Sequence, residues 1–273
     1  MSSDCQMGVV MGRKMSNAPV YFTIAQVRFN TLLALDSYAP TIQENMRKDG
    51  FPDFQKGIVA TFNLNLGAPT ESPPAQVPVG QMVRYVFSDM EKTTAFVLDQ
   101  GSLSFQTTEY DVFETFSARF LQGLGILHTA VNLSYSDRIG FRYLDAVFPK
   151  EGESLSDYLD VSVLGLVGKL EGSLVHSFSE TLTKTKMANV LARVIVQSGP
   201  IGFPPDLQPM SSQLAERFRA LDGLHGIIDT DGSNDKREAF SLGKVKSKLI
   251  AIHDEMDAAF KAMVTPRALQ IWK

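Results

Sequence analysis

Three arginines stand where strand alternation could aim them together: Arg28 in Val27-Arg28-Phe29, Arg84 in Val83-Arg84-Tyr85, and Arg142 in Phe141-Arg142-Tyr143. Successive side chains of a strand leave on opposite faces, so each guanidinium points away from its hydrophobic neighbours. The planar fork of donors suits a carboxylate or phosphate. If the second face of the sheet is open and concave, Arg28, Arg84 and Arg142, with Tyr143 beside them, form a candidate site for a small anion. The plainer reading, which strand chemistry favours, pairs each arginine with a surface acid.

A second candidate is Asp229-Thr230-Asp231-Gly232-Ser233-Asn234-Asp235. Asp229 and Asp231 share one strand face, and hard cations prefer such oxygen clusters. As an EF-hand loop it fails, because its sixth position is Asn234 and its twelfth is Phe240. Asp-Gly followed by Ser-Asn is ordinary turn chemistry, and a turn is the favoured reading. His253 and Asp257 stand one helical turn apart, as metal ligands do. Ile252 and Met256 mark the buried stripe, however, so this pair is expected on its flank as a surface pair. His176 and Glu180 are expected to share a strand face in the same way. His128 and His225 have no acidic or nucleophilic neighbour at a recognised spacing.

Lys244, Lys246 and Lys248, with Lys236 and Arg237, form a basic run, but two-residue spacing spreads it around a helix. A solvated face is expected there. The chain has no nucleophile elbow, Gly-rich phosphate loop, zinc-protease helix or Cys/His cluster. No cofactor is expected.

The elements that must position these residues follow a repeated order: strand, helix, several strands, long helix. Val20–Phe29 reads as a strand. A helix follows, capped by Asp36 or Ser37, with Leu35, Tyr38, Ile42 and Met46 on one face and Gly50 as its stop. Strands are expected at Ile58–Leu66, Met82–Ser88, Ala95–Asp99 and Leu103–Thr107. Thr108 and Asp111 read as a capping box for a helix striped by Tyr110, Phe113, Phe116, Phe120, Leu124 and Leu127.

The second round begins with a strand at Arg138–Phe148. Ser154 then caps a helix carrying Leu155, Leu159, Val163 and Leu166. Strands follow at Ser173–Leu182, Asn189–Gln197 and Leu224–Thr230, with a short helix at Ser211–Leu221 between the last two. A final helix carries Val245, Leu249, Ile252, Met256, Phe260 and Met263, and Thr265-Pro266 starts another turn. Eight of the thirteen prolines fall in Pro69–Pro78 and Pro200–Pro209, which read as long loops.

This predicts an α+β fold of two approximate repeats: residues 1–17 as a disordered tail, 18–133 as a first half, and 134–273 as a second half packed closely on it. The repeat is approximate, since three strands follow the second-half helix where four follow the first. The element order resembles folds of the TATA-box-binding-protein type, in which a long helix crosses one sheet face and two copies join into a curved sheet. That is an analogy of order and carries no function with it.

Composition narrows the classes further. Hydrophobic residues make up 44% of 273 and charged residues 21%, enough for a sizeable core. A net charge of −4 argues against broad nucleic-acid binding, which needs a positive face. The single cysteine, Cys5, excludes an internal disulfide and fits a reducing cytoplasm. No run reaches 18 apolar residues, so no membrane span is expected.

Six stretches resemble a family of rare, sporadically distributed bacterial and archaeal proteins of about this length whose function is not established. They are Val27-Arg28-Phe29-Asn30; Ile42-Gln43-Glu44 running to Gly50-Phe51-Pro52; Arg84-Tyr85-Val86-Phe87-Ser88-Asp89; Leu103 to Tyr110; Arg138-Ile139-Gly140-Phe141-Arg142-Tyr143; and the helix from Ile252 to Thr265. Phe141 and Tyr85 depart mildly from the leucine and tryptophan expected at those places. The resemblance carries no catalytic residues, and patchy distribution implies a setting in mobile elements or phage defence.

The expected function is therefore a non-catalytic, cytoplasmic binding or scaffold protein acting with a protein partner or a small anionic ligand. The final helix offers an a/d-like stripe for a homodimer. The alternative is a metal-dependent enzyme acting on nucleotides or nucleic acid, with Asp229 and Asp231 on the metal and Arg28, Arg84 or Arg142 on phosphate.

Overall fold

Val20–Phe29 forms β1, whose Ala25, Val27 and Phe29 are buried while Arg28, on the other face, is exposed. A computed structural model of the chain describes residues 15–62, 79–204, 206–207 and 213–273. The remaining strands are β2 (Asp53–Phe62), β3 (Val79–Ser88), β4 (Thr94–Leu98), β5 (Ser102–Thr107), β6 (Tyr135–Val147), β7 (His176–Lys184), β8 (Asn189–Ser198), β9 (Leu224–Asn234) and β10 (Glu238–Ala239). They join in one ten-stranded sheet, ordered β2-β3-β4-β5-β1-β6-β9-β8-β7, with β10 pairing β6. Every pairing is antiparallel. β1 and β6 lie side by side at the centre.

The helices are α1 (Leu35–Lys48), α2 (Phe113–Val131), α3 (Val161–Leu164), α4 (Glu216–Arg219), α5 (Leu242–Met263) and α6 (Pro266–Trp272). α1, α2 and α5 pack on one sheet face. Their stripes, including Ile42, Met46, Phe116, Phe120, Leu249 and Ile252, join Val27, Phe105 and Phe141 in one core. Each fully buried Phe or Leu of that core is worth about 1.5–3 kcal/mol of transfer free energy. A second core on the same face holds Leu155, Leu159, Val194, Ile228, Val264 and Trp272. On the opposite face, the β8–β9 connection lays Ile201 and Phe218 over Tyr21, Phe22, Leu144 and Ile227. Among the described residues no helix is long and apolar enough to cross a membrane.

Several local expectations are corrected. α1 starts at Leu35, so Asp36 and Ser37 lie inside it, and the Ser37 hydroxyl donates to the Ala34 carbonyl at 2.7 Å. Gly50 does take the left-handed conformation, with φ of +95°. The box expected from Thr108 and Asp111 does not form: α2 begins at Phe113 behind an uncapped Val112. The Thr108 hydroxyl is drawn instead to the Gln213 carbonyl at 2.6 Å, a tertiary contact 105 residues away.

Ser154 makes a capping box with Asp157, but only a 3₁₀ turn over Leu155–Asp157 follows. α3 stops after four residues, and Gly165, Gly168 and Gly172 all have positive φ, so the segment cannot continue as a helix. Leu166 is left exposed. Of the segment expected as a helix over 211–221, 211–212 lie outside the described residues and α4 covers Glu216–Arg219. The Pro69–Pro78 loop also lies outside them.

The Asp229–Asp235 stretch is not a turn. β9 runs through to Asn234, paired with β6 on one side and β8 on the other. Gly232 permits this for a packing reason: a Cβ there would sit 2.5 Å from Ile252 Cγ2 and 2.7 Å from Met256 Sδ of α5. The glycine lets a helix lie close on the strand rather than bending the chain.

Candidate functional site

On the helix face, a polar row crosses a mostly apolar sheet. Register places Thr94 beside Thr107, Thr107 beside Thr23, Thr23 beside Tyr143, and Tyr143 beside Thr230, across β4, β5, β1, β6 and β9. Thr94 and Thr107 bond to each other at 3.2 Å. Among the described residues the Oγ1 atoms of Thr23 and Thr230 are buried without a hydrogen-bond partner. A buried hydroxyl without a partner costs of order 1–3 kcal/mol, so such atoms invite a ligand or water.

The Tyr143–Thr230 end of this row opens into a cavity of about 790 Å³. Its floor is β6 and β9, its walls are the start of α2 and the second half of α5, and Val20 and Leu269 close its sides. The segment leading into β1 is fixed there by Ser16 and Asn17, whose N–H groups donate to the Lys273 and Trp272 carbonyls at 3.2 and 3.1 Å.

Inside, three polar side chains form a chain. The Tyr110 and Tyr143 hydroxyls lie 2.7 Å apart, and the Tyr143 hydroxyl is 3.3 Å from His253 Nδ1. The His253 ring stacks on Phe113 with centroids 4.0 Å apart and planes within 3°. Burial lowers the His253 pKa, outweighing the acids nearby, so the imidazole is neutral at pH 7. Burial also raises both tyrosine pKa values, which keeps them protonated hydrogen-bonding groups rather than nucleophiles.

Asp145 lies two residues beyond Tyr143 on the same face of β6 and lines the cavity. It is 6% exposed. Burial, and then the charge of Asp229 on the far face of the sheet, push its pKa up to about 8. Asp145 is therefore a neutral carboxylic acid at pH 7. At the rim, Lys261 Nζ bonds Asp257 Oδ2 at 2.5 Å.

The expected arginine site falls on the opposite face, and its members do not converge. Arg142 stands opposite Ile24 on β1, four residues from Arg28, which is about 14 Å along the strand. Arg84 is on β3, three strands from β1, again about 14 Å away. Arg142 is 7% exposed and engaged by two carboxylates. It donates to Asp229 through Nε and Nη2 at 2.7 and 2.8 Å, and to Asp206 through Nη1 and Nη2 at 2.9 and 3.2 Å. Burial alone would lower its pKa, but these two aspartates outweigh it and the value is raised.

Arg193 Nη2 approaches Asp229 to 2.7 Å, so that carboxylate is shared between two guanidinium groups. The acid on which the metal reading rests is thus an ion-pair centre. Asp231 stands on the same face, its pKa raised by burial. Among the described residues no three His, Cys, Asp or Glu side chains gather as a metal cage.

The other singled-out residues have ordinary surroundings. His176 and Glu180 are exposed on the edge strand β7. His225 is buried, its Nδ1 2.8 Å from the Gly223 carbonyl and its ring stacked on Phe148. His128 Nδ1 accepts the Leu133 N–H at 3.1 Å. Lys248 pairs with Glu238 at 2.7 Å, while Lys244 and Lys246 face solvent.

Of the sequence candidates, only Tyr143, His253 and Asp257 line the cavity. Tyr110, Asp145 and Thr230 were not singled out for it. A single aspartate in Tyr143-Leu144-Asp145-Ala146-Val147 was the available signal: a charge on the core face of a central strand contradicts its neighbours.

The class defined by this architecture is an α+β protein with an antiparallel sheet, with α1, α2 and α5 packed on one face and a cavity of mixed polar and apolar lining beside α2 and α5. Comparison with protein-family models finds none that matches the chain, and searches of curated proteins and of solved structures find no match.

Proposed function

We propose that this chain is a non-catalytic binding protein that holds a small molecule in the cavity between β6, β9, α2 and α5. One observation carries the reading: a cavity of ligand size, about 790 Å³, whose floor presents the buried carboxyl of Asp145 and an unpartnered Thr230 hydroxyl. Tyr143 belongs to this site. Arg142 belongs to the ion cluster on the other face, so an anion drawn to the three arginines has less support than a ligand in the cavity.

The experiment is native mass spectrometry of gently purified protein, with a thermal-shift screen of small molecules against wild type and Ala18→Trp. Ala18 lines the cavity, and a tryptophan there takes up part of its space. A bound mass, or a rise in melting temperature, that is lost in Ala18→Trp supports the reading. Equal responses from both proteins, or none from either, overturn it.

The halves are read here as approximate copies, each a central strand, a helix, further antiparallel strands and a long helix, joined through the β1–β6 pair. The likeness to folds of the TATA-box-binding-protein type is one of element order. A cytoplasmic setting, a protein partner or homodimer, and a role beside mobile elements or phage defence belong to the same proposal; the neighbouring genes are where that context would be read. The metal-dependent alternative has no observation in its favour, because Asp229 is committed to Arg142 and Arg193.

A further inference from the structure

The cavity's chemistry narrows the ligand class, given that the cavity is the binding site. Among the described residues its charged lining is Asp111 just before α2, Glu114 in its first turn, Asp145 on β6, Asp257 and Lys261 on α5, and Lys273. Lys261 is already paired with Asp257, and Asp111 and Glu114 have interactions of their own, so the acid that the floor offers a ligand is the Asp145 carboxyl. The aromatic lining comes from Tyr110, Phe113, Tyr143 and Phe260. Acids set among aromatic faces favour a cation, since the ring quadrupole and the carboxylates attract the same charge.

Two atoms on the floor supply an independent indication. The Asp145 carboxyl is more than nine-tenths buried, and no hydrogen bond reaches it among the described residues. The Thr230 hydroxyl stands on the neighbouring strand, one residue-pair diagonal away, and is also unpartnered. A diagonal step across a sheet is about 7–8 Å between Cα atoms, which an ammonium group lying between the two side chains can bridge.

We propose that the site takes a small organic cation, a primary or secondary amine on an apolar or aromatic body, with its ammonium donating to the Asp145 carboxylate and the Thr230 hydroxyl. The body lies against Phe113, Phe260 and Met256. The neutral His253 adds no opposing charge at pH 7.

The protonation of Asp145 makes the proposal directional. Asp229 and Tyr143 lie close to it, with Tyr110 on the α2 side and Tyr21 on β1, while His253 of α5 reaches the Tyr143 hydroxyl. The tyrosines stay protonated, and Asp229 acts equally on the free and bound states. An amine needs the ionised acid, and its own pKa, near the lysine value of about 10.4, keeps it charged throughout. Its affinity therefore rises with pH, approaching about tenfold per unit below the Asp145 pKa. A carboxylate ligand would show the opposite slope.

The test is titration calorimetry with three matched probes, 3-phenylpropylamine, 3-phenylpropanol and 3-phenylpropionate, at pH 6.5 and 7.5. The expected result is strongest binding by the amine, tightening several-fold over that interval, with the slope abolished in Asp145→Asn. Thr230→Val, which leaves Asp145 in place, is expected to weaken the amine without removing the slope. Equal or better binding by the alcohol or acid, a flat or falling pH profile for the amine, or no binding at millimolar concentration overturns the amine assignment. Binding by the alcohol that equals or exceeds that of the amine and is lost in Ala18→Trp would overturn it while leaving the small-molecule reading intact.

Discussion

Arg142 and Asp229 are diagonal neighbours across the β6–β9 pair and bond twice, Nε to Oδ1 at 2.7 Å and Nη2 to Oδ2 at 2.8 Å. Asp206, from the β8–β9 connection, closes over the same guanidinium. The pair thus lies between a central strand and the loop that covers it. Arg28, on the adjacent strand and the same face, is exposed. Two arginines in nearly identical sequence settings therefore have different physical roles.

Arg142→Ala leaves Asp229 buried with only Arg193 beside it, and the cost is expected near the lower end of about 3–5 kcal/mol for breaking a buried pair. Arg28→Ala, in solvent, is expected within about 0.5 kcal/mol of wild type. Urea denaturation of the two variants checks this. Equal effects would show that burial does not separate them.

Gly123→Ala tests how closely α2 sits on β4. A Cβ at Gly123 would lie 2.2 Å from Phe96 Cζ. The Phe96 ring is held between Phe51 and Phe105, with centroids 4.9 and 4.5 Å away, so it has no room to turn aside. Overpacking of this kind costs about 1–3 kcal/mol, although alanine is the better helix former. A thermal melt at or above the wild-type midpoint would refute the close packing.

Stability should also fall as pH rises towards 8. Asp145 holds its proton to about 8 when folded but titrates near the ordinary aspartate value of 3.8 when unfolded. Between those values the native chain binds more protons, so its stabilisation is full below about 4 and lost as pH rises through 8, at up to about 1.4 kcal/mol per unit. Asp231, also raised by burial, adds to the same slope, whereas His253, lowered by burial, acts in the opposite sense at lower pH. The difference between wild type and Asp145→Asn isolates the Asp145 contribution. Urea melts from pH 5 to 8.5 should show the variant gaining on wild type as pH rises, and parallel curves would place the Asp145 pKa elsewhere.

The sequence by itself determined most of the elements, because period and punctuation are local. The alternation over Val20–Phe29, the three-and-four spacing of Phe113 to Leu127, the stop at Gly50 and the cap at Thr265-Pro266 all appear in the structure. Errors arose where a local motif met a distant partner. Thr108 bonds Gln213 in place of capping α2, and Gly232 makes room for α5 in place of turning the chain.

The site was decided by tertiary structure alone. Register aligns Thr23, Tyr143 and Thr230, which lie more than a hundred residues apart from first to second and 87 from second to third. No spacing along the chain encodes that row. The partners of Arg142 are 64 and 87 residues away, so its alternation revealed its face but not its neutralisation. Side-chain direction follows from one strand, while charge balance and burial depend on every element packed around it.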